Sequence, residues 1–478
     1  MVDINFNKAI SKSKNILTSW KKRYLTPIGK ITVIKTFIIS MFNHLFISLP
    51  TPKFSTIKKI SDLVYEFLWD KKPDKISRNL ITQDLLNGGL KMINLQNFII
   101  SLKCTWIRRL LKGNNAAWIS IFGNIKIAQN LSIFGPQWCR LLKQKIRNPF
   151  WLDVFDSWQI VSDASILKSG EDILSSPLWY NKNIAKYTLY LQNWHDKGIL
   201  YVKDLLDSNG NFLSSTALST NYGFHVNNFL DYYKIKILVN KFLLQNNFDP
   251  TSMKNLEYHL LLPQHLKILY KSSKGSRDMY NIINKQNFEP KMKKKWDKDF
   301  NIIIDKITWR NIFKACFKVV TNSPLIWLQY RLLNRILGVR KYLCILKIEN
   351  NETCRLCSNN IETLIHLFSD CVKSQELWSC IKSWIKEVVK FELNLSAETI
   401  ILGYLNTDTN FEPINLILLV TKHYLFNCAS QSKMPRFHIL KNRIKQSFAE
   451  QQMIARINSM EHAFDKNWSR WRPLFQDI

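Results

Sequence analysis

Ile28-Gly29-Lys30-Ile31-Thr32-Val33-Ile34-Lys35-Thr36-Phe37-Ile38-Ile39-Ser40-Met41-Phe42-Asn43-His44-Leu45-Phe46-Ile47-Ser48-Leu49 is the most apolar stretch of the chain. Its apolar residues recur at Ile28, Ile31, Ile34, Ile38, Met41/Phe42 and Leu45, the three-and-four spacing of one helix face. Lys30, Lys35, Asn43 and His44 interrupt it. It is therefore expected to fall short of the roughly 20 clean apolar residues that cross a bilayer, and to serve as a core helix. Pro50-Thr51-Pro52 follows as an extended joint, because proline disfavours helix in the residue before it. Beyond the joint, Ile57, Ile60, Val64 and Phe67/Leu68 share a face, which predicts a second helix over Thr56–Trp69. Gly88-Gly89-Leu90 marks a turn. A further helix is expected over Leu95–Leu111, closed by Arg108, Arg109 and Lys112, where cations suit the helix dipole.

Composition extends this helical reading to the whole chain. With 13 Gly and 14 Pro in 478 residues, turn-rich β architecture is disfavoured, and a mainly α fold is expected. The length calls for two to four packed units. Hydrophobic residues at 46% and aromatics at 13% supply cores for them and argue against a disordered chain. Charge shifts from the basic run Lys143–Arg147 to the acidic set Asp153, Asp156, Asp163, Glu171 and Asp172, which places a first boundary near residue 150. The expected division is 1–150, a helical bundle; 151–290, a connecting region; 291–380, a helical segment with a cysteine motif; and 381–478, a helical tail. Within these, Asp207-Ser208-Asn209-Gly210 predicts a turn or hairpin and Pro324–Leu346 a helix leading into the cysteine motif. Leu416–Leu419 is the most apolar part of the tail, and Lys291-Met292-Lys293-Lys294-Lys295-Trp296 is the densest short basic cluster.

The formal net charge is +32, from 68 Lys+Arg against 36 Asp+Glu. A folded chain with that excess repels itself and is expected to sit against a polyanion, of which nucleic acid is the most common. A lysine-rich surface with no single partner, following AT-rich codon usage, is the alternative. Nine cysteines, an odd number, are dispersed along a chain whose start lacks a basic segment followed by an apolar one. A reducing, intracellular compartment is expected, with thiols free or metal-bound.

Cys354-Arg355-Leu356-Cys357, then His366 and Cys371, form a C-x2-C-x8-H-x4-C pattern. Two thiolates separated by two residues reach one ion from a single turn, and the spacer lets His366 and Cys371 return to it. Three thiolates and an imidazole leave no position for water, so a zinc ion here is expected to be structural. Cys380 is a competing ligand ranked below Cys371. Basic residues interleave with aromatics at Trp20-Lys21-Lys22-Arg23-Tyr24 and continue to Lys30 and Lys35. There the cations suit phosphates and Trp20 or Tyr24 suits stacking on a base; equally, Trp20 suits a core and the lysines a solvated face. Arg331 and Arg335 sit one turn apart on an expected helix, as a phosphate clamp or an intramolecular ion-pair face.

Catalytic patterns are missing. No adjacent aspartates follow a hydrophobic residue, and no phosphate-binding Gly-x4-Gly-Lys-Ser/Thr, His-Glu-x2-His or Gly-x-Ser-x-Gly occurs. Pro73-Asp74 has no acidic-x-Lys partner at nuclease spacing and is expected to be a turn. No catalytic residue is assigned.

Leu17 to Lys35, with Leu17-Thr18-Ser19-Trp20 leading into Pro27-Ile28-Gly29-Lys30, resembles the segment after the polymerase palm in non-LTR (LINE-type) retrotransposon reverse transcriptases. In that family this segment builds the helical thumb, which grips the template–primer duplex. Leu49-Pro50-Thr51-Pro52, Phe67-Leu68-Trp69 and Gly88-Gly89-Leu90 follow in the family's order. Pro177-Leu178-Trp179-Tyr180-Asn181 and Trp194-His195-Asp196-Lys197-Gly198-Ile199 look like its post-thumb region. Gln329-Tyr330-Arg331 and the cysteine motif, with His366-Leu367-Phe368 and Trp378, look like its zinc-binding segment. Asn334 stands where the family often has His before Arg335. Endonuclease, fingers and palm are not represented, as in an element truncated at its 5′ end or a sequence begun at an internal Met.

The resemblance implies a nucleic-acid-binding C-terminal portion that grips RNA template or RNA–DNA duplex through phosphates, has no chemistry of its own, and carries a structural Zn2+. Its expected partners are element RNA and target-site DNA, with no membrane and no small-molecule substrate. A cytoplasmic ribonucleoprotein and the nucleus are the expected locations. The alternatives are a protein-interaction scaffold, or part of an active RNA-directed DNA polymerase whose palm lies upstream.

Overall fold

Thr26 caps a helix whose first residue is Pro27: the Gly29 N–H donates to the Thr26 hydroxyl at 3.4 Å, and proline loses nothing at a position where its missing N–H would be unpaired anyway. From this start the apolar stretch is helical to Ser48, but not uniformly. In the computed structural model, the α-helix Pro27–Val33 gives way to a π-helical segment, Ile34–Ile39, before the α-helix Ser40–Ser48. The wider segment takes up extra residues per turn, so Ile34, Ile38, Ile39, Phe42 and Phe46 are all buried. Pro27–Ser48 has 22 residues and a mean hydropathy of 1.5, so by length and composition alone it suffices to cross a membrane; 44% of it is buried within the molecule. The expectation that its polar interruptions put it below that threshold is corrected on these two measures.

The structure describes residues 2–111, 130–131, 133–164, 169–223, 229–252, 267, 275–284, 289–405 and 412–475. Among them the protein is mainly helical, with 22 α-helices and no strand. Helices Phe54–Leu68 and Leu95–Leu111 stand where their apolar spacing places them. Lys112, expected at the end of the second, lies outside the described residues.

The chain divides into two compact units that interleave in sequence. One comprises residues 1–16, 36–63 and 93–287; the other comprises 17–35, 64–92 and 288–478. This partition differs from the four consecutive segments read from composition, because local charge does not report which distant segments pack together.

In the first unit, Phe6, Phe42 and Phe46 cluster with ring centroids 5.5–6.3 Å apart. Helix Leu95–Leu111 packs on Pro149–Ala164, Gly275–Asn284 and Ser40–Ser48. It also ties down the proline joint. Buried Lys103 donates to the Leu49 carbonyl, the Trp106 indole donates to the Ile47 carbonyl at 2.9 Å, and Asp153 accepts the Thr51 N–H at 2.5 Å. A second core surrounds fully buried Trp179, whose indole donates to the Ile199 carbonyl at 2.7 Å. Asp207–Gly210 is the expected turn: Asp207 Oδ1 accepts from the Asn209 and Asn211 N–H groups, and Gly210 has a φ of 81°.

The second unit is built on helix Glu412–Ser430, where Leu416, Ile417 and Leu418 are at most 1% exposed. Helices Phe437–Ile457, Lys306–Val319 and Ser323–Leu333 pack against it. The Gly88-Gly89 turn closes onto this core. Gly88 has a φ of 79°, its carbonyl accepts from the Tyr330 hydroxyl at 3.1 Å, and a Cβ on Gly89 would lie 2.1 Å from the Gln83 carbonyl oxygen. Only glycine fits there. The single helix expected over Pro324–Leu346 is corrected to two, Ser323–Leu333 and Arg340–Ile345. The chain turns at Arg335, with a φ of 60°, and the Leu333 carbonyl left free by the break accepts from the buried Trp296 indole at 2.8 Å.

Candidate metal centre and basic surfaces

A tight turn carries the first two cysteines. Thr353 and Ile361 form an antiparallel bridge, the Cys354 N–H donates to the Asn360 carbonyl at 2.7 Å, and Ser358 returns the chain with a φ of 58° while donating to the Cys354 carbonyl at 2.8 Å. The other two ligands flank a π-helical turn, His366–Asp370, in which the Cys371 N–H reaches the His366 carbonyl at 2.8 Å. Leu367 and Phe368, fully buried, pin that turn. Their carbonyls accept from the Ser374 hydroxyl and the Trp378 indole, both at 2.7 Å, which fixes the turn to helix Val372–Val389.

The result is convergence. The Sγ atoms of Cys354, Cys357 and Cys371 and a ring nitrogen of His366 all lie within 4.8 Å of one another, so the four side chains can hold one metal ion. Cys354 Sγ is 3.9 Å from Cys371 Sγ, and Cys357 Sγ is 3.4 Å from His366 Nε2. Cys354 and Cys371 are fully buried, His366 nearly so, and Cys357 half-buried. Cys380 is exposed and stands outside the group. The hydrogen bond between their sulfurs divides the two buried thiols. It pushes Cys354 up to about 12, with burial adding to it, and lowers Cys371, which the Lys373 and Ser374 N–H groups at the helix start also favour as thiolate.

The sequence reading missed the carboxylate behind this turn. Glu362 is fully buried and accepts from the Arg355 N–H at 2.8 Å, the Arg340 N–H at 3.0 Å, and the Arg355 guanidinium through Nε (3.0–3.1 Å) and Nη2. Burial works to raise its pKa, but these hydrogen bonds and the Arg355 charge outweigh burial and hold it low. Arg355, between the first two cysteines, is thus locked to the spacer before His366. One acid inside an otherwise uncharged spacer was the available signal.

The basic candidates fall into separate settings. Trp20 and Lys21 close helix Val2–Lys21, and Lys21, Lys22, Arg23 and Tyr24 are exposed. The Arg23 guanidinium lies 4.2 Å from the Trp20 ring centroid, so cation and aromatic are neighbours as the interleaving suggested. Lys30 is turned inward instead: it is 6% exposed and donates to Asp70 at 2.6 Å. Lys35 is half-buried, and burial followed by the charge of Lys91 lowers its pKa.

Arg331 and Arg335 do not share a helix face, because the helix ends between them. Arg335 pairs with Asp299 at 2.5 Å over the Trp296 ring, the intramolecular option of the two read from sequence. Arg331 lies between rings, 5.8 Å from Trp327 and 5.5 Å from Phe426. The expected turn at Pro73-Asp74 is non-helical and exposed. Set against models of protein families, the chain matches none.

Proposed function

We propose that this chain is a nucleic-acid-binding portion of a LINE-type reverse transcriptase, a thumb-like helical body and a post-thumb region that grip RNA or RNA–DNA duplex through phosphates. The observation that carries the reading is the cation excess, 68 Lys+Arg against 36 Asp+Glu, on a body with ample buried cores. Self-repulsion of that size is relieved by a polyanion. The order of the quoted motifs along the chain supports the family, and the exposed Lys21–Tyr24 segment beside half-buried Trp20 supports contact by charge and stacking.

We assign the Cys354, Cys357, His366 and Cys371 group to a structural zinc ion. Zinc with sulfur at about 2.3 Å and nitrogen at about 2.0 Å in a tetrahedron sets S···S at about 3.8 Å and S···N at about 3.5 Å. The 3.9 Å and 3.4 Å separations suit it, as does the donor chemistry. Four protein ligands leave no place for water, so the ion would supply folding energy rather than reactivity. This chain's own residues then bind and orient a phosphate polymer, and no group for transforming it is assigned.

The test is affinity for RNA and DNA oligonucleotides as a function of salt, on the intact chain and on Cys354→Ser/Cys357→Ser, with metal content measured alongside. Affinity should fall steeply with salt, and bound zinc should drop from about one per chain to none in the variant. Indifference to both nucleic acids at low ionic strength rejects the binding reading. Nucleotide incorporation on a primed RNA template rejects the assignment as non-catalytic.

A further inference from the structure

Arg331 is a half-buried cation of the second unit. Its Nε is buried without a hydrogen-bond partner, and among the described residues no carboxylate pairs with it, nor with Lys75 or Arg443. The rings of Trp327 and Phe426 flank the guanidinium, Trp327 stacks on Tyr330 at 5.6 Å, and Trp69 lies 6.3 Å from Trp327. Aromatic faces orient such a group but do not neutralise it.

The neighbouring charges are of the same sign. Lys75 is lowered first by burial, then by Arg331 and Lys72, with Asp70 opposing and Lys30 adding to the fall. His423 is lowered by burial and then by Arg443 and Arg331, so it is kept neutral rather than adding a counter-charge. Asp70, the acid that opposes this fall at Lys75, is already bound to Lys30. It sits in an exposed turn where Asp70 and Lys71 take successive φ values of 53° and 61°, and this turn presents Lys72 and Lys75 outward. The Arg443 guanidinium lies 5.1 Å from the ring of Tyr424, on the helix that supplies Phe426 to Arg331, so a partly desolvated guanidinium with like charges nearby is a site that lacks its anion.

We propose that Arg331, Lys75 and Arg443 form an anion site that takes a backbone phosphate of a nucleic acid, with Arg331 as the oriented fork and Lys75 and Arg443 as point charges. The inference rests on the nucleic-acid reading above and narrows it to named residues. Arg335, committed to Asp299, is outside it.

The experiment compares the full chain with Lys75→Ala, Arg331→Gln and the charge-matched control Lys382→Ala, an exposed lysine on helix Val372–Val389. Anisotropy of a labelled RNA gives affinity against salt, and thermal shift with inorganic phosphate probes the free anion. Lys75→Ala and Arg331→Gln should each reduce the salt slope by about one and weaken low-salt binding about tenfold, while the control moves neither by that much. Should Arg331→Gln misfold, the exposed Lys75→Ala carries the test. Equal slopes in Lys75→Ala and the control, with RNA still bound, overturn the site and leave the general reading standing. No RNA binding, together with phosphate protection that Arg331→Gln removes, overturns the nucleic-acid partner and leaves free phosphate as the ligand.

Discussion

Replacing Glu362 by Gln keeps the shape of the side chain and removes its charge. The carboxylate is fully buried and accepts hydrogen bonds from two backbone N–H groups and the Arg355 guanidinium, which is itself about 10% exposed. Breaking one side of a buried pair leaves the other charge uncompensated and costs roughly 3–5 kcal/mol. The amide retains one oxygen that can accept, so the lower part of that range applies. On the proposed zinc assignment, folding of the turn is coupled to metal binding, so the loss should appear in zinc affinity; outer partners of metal ligands typically change affinity by about 10–100-fold, and about 3 kcal/mol corresponds to about 100-fold. Competition with a chromophoric chelator at neutral pH reads this directly. The pH dependence fixes the sign: with Glu362 held below its ordinary pKa, its contribution is complete above the usual carboxylate range and vanishes only as pH falls through the lowered value. A weakened E362Q should therefore differ from the parent equally at pH 6 and pH 8. Zinc affinity within about twofold of the parent would refute the role given to Glu362, given the range expected for such partners.

Lys422 is fully buried, donates to Gln329 Oε1 at 2.6 Å, and is lowered by burial to about 7. The unfolded chain then binds more protons between that value and the ordinary lysine range, so the parent's stability should rise with pH relative to Lys422→Met, by on the order of 2 kcal/mol from pH 6 to pH 9; parallel urea midpoints would exclude this. Gly89→Ala forces a methyl onto the Gln83 backbone and should lower thermal stability by about 1–3 kcal/mol, visible as a depressed melting temperature. Arg335→Ala, which frees Asp299, should cost about 1 kcal/mol in denaturation while leaving the salt slope of the proposed RNA binding unchanged; a reduced slope would add Arg335 to the proposed binding surface.

Local periodicity carried the helices at Phe54–Leu68 and Leu95–Leu111. Leu95–Leu111 begins where apolar spacing puts it and carries Arg108 and Arg109 in its last described turn, because both signals act within one or two turns. The convergence of Cys354, Cys357, His366 and Cys371 was legible for a similar reason, since their spacing encodes a turn and a return. What local pattern cannot hold is the destination of a side chain. Lys30 reads as a surface cation until Asp70, forty residues away, takes it inward. Arg331 and Arg335 read as a pair because their spacing suits a helix, while the break after Leu333 depends on Trp296, thirty-seven residues upstream, capping the exposed carbonyl. The interleaved units follow from the same limit, since each assembles segments that lie far apart in the chain.

The ring of chain from His366 to Cys371 bears on how ligand spacings are read. In an ordinary α-helix two residues five apart point about 140° away from each other, so an H-x4-C pair would face different directions. Here one widened loop of helix brings the fifth residue back over the first. A spacer shortened to three residues would suit a regular helical turn, and one lengthened by a residue would suit neither. The interval of four is thus itself an instruction for that geometry, and wherever such an interval separates an imidazole from a thiol at the mouth of a helix, the same widened loop is the conformation to look for.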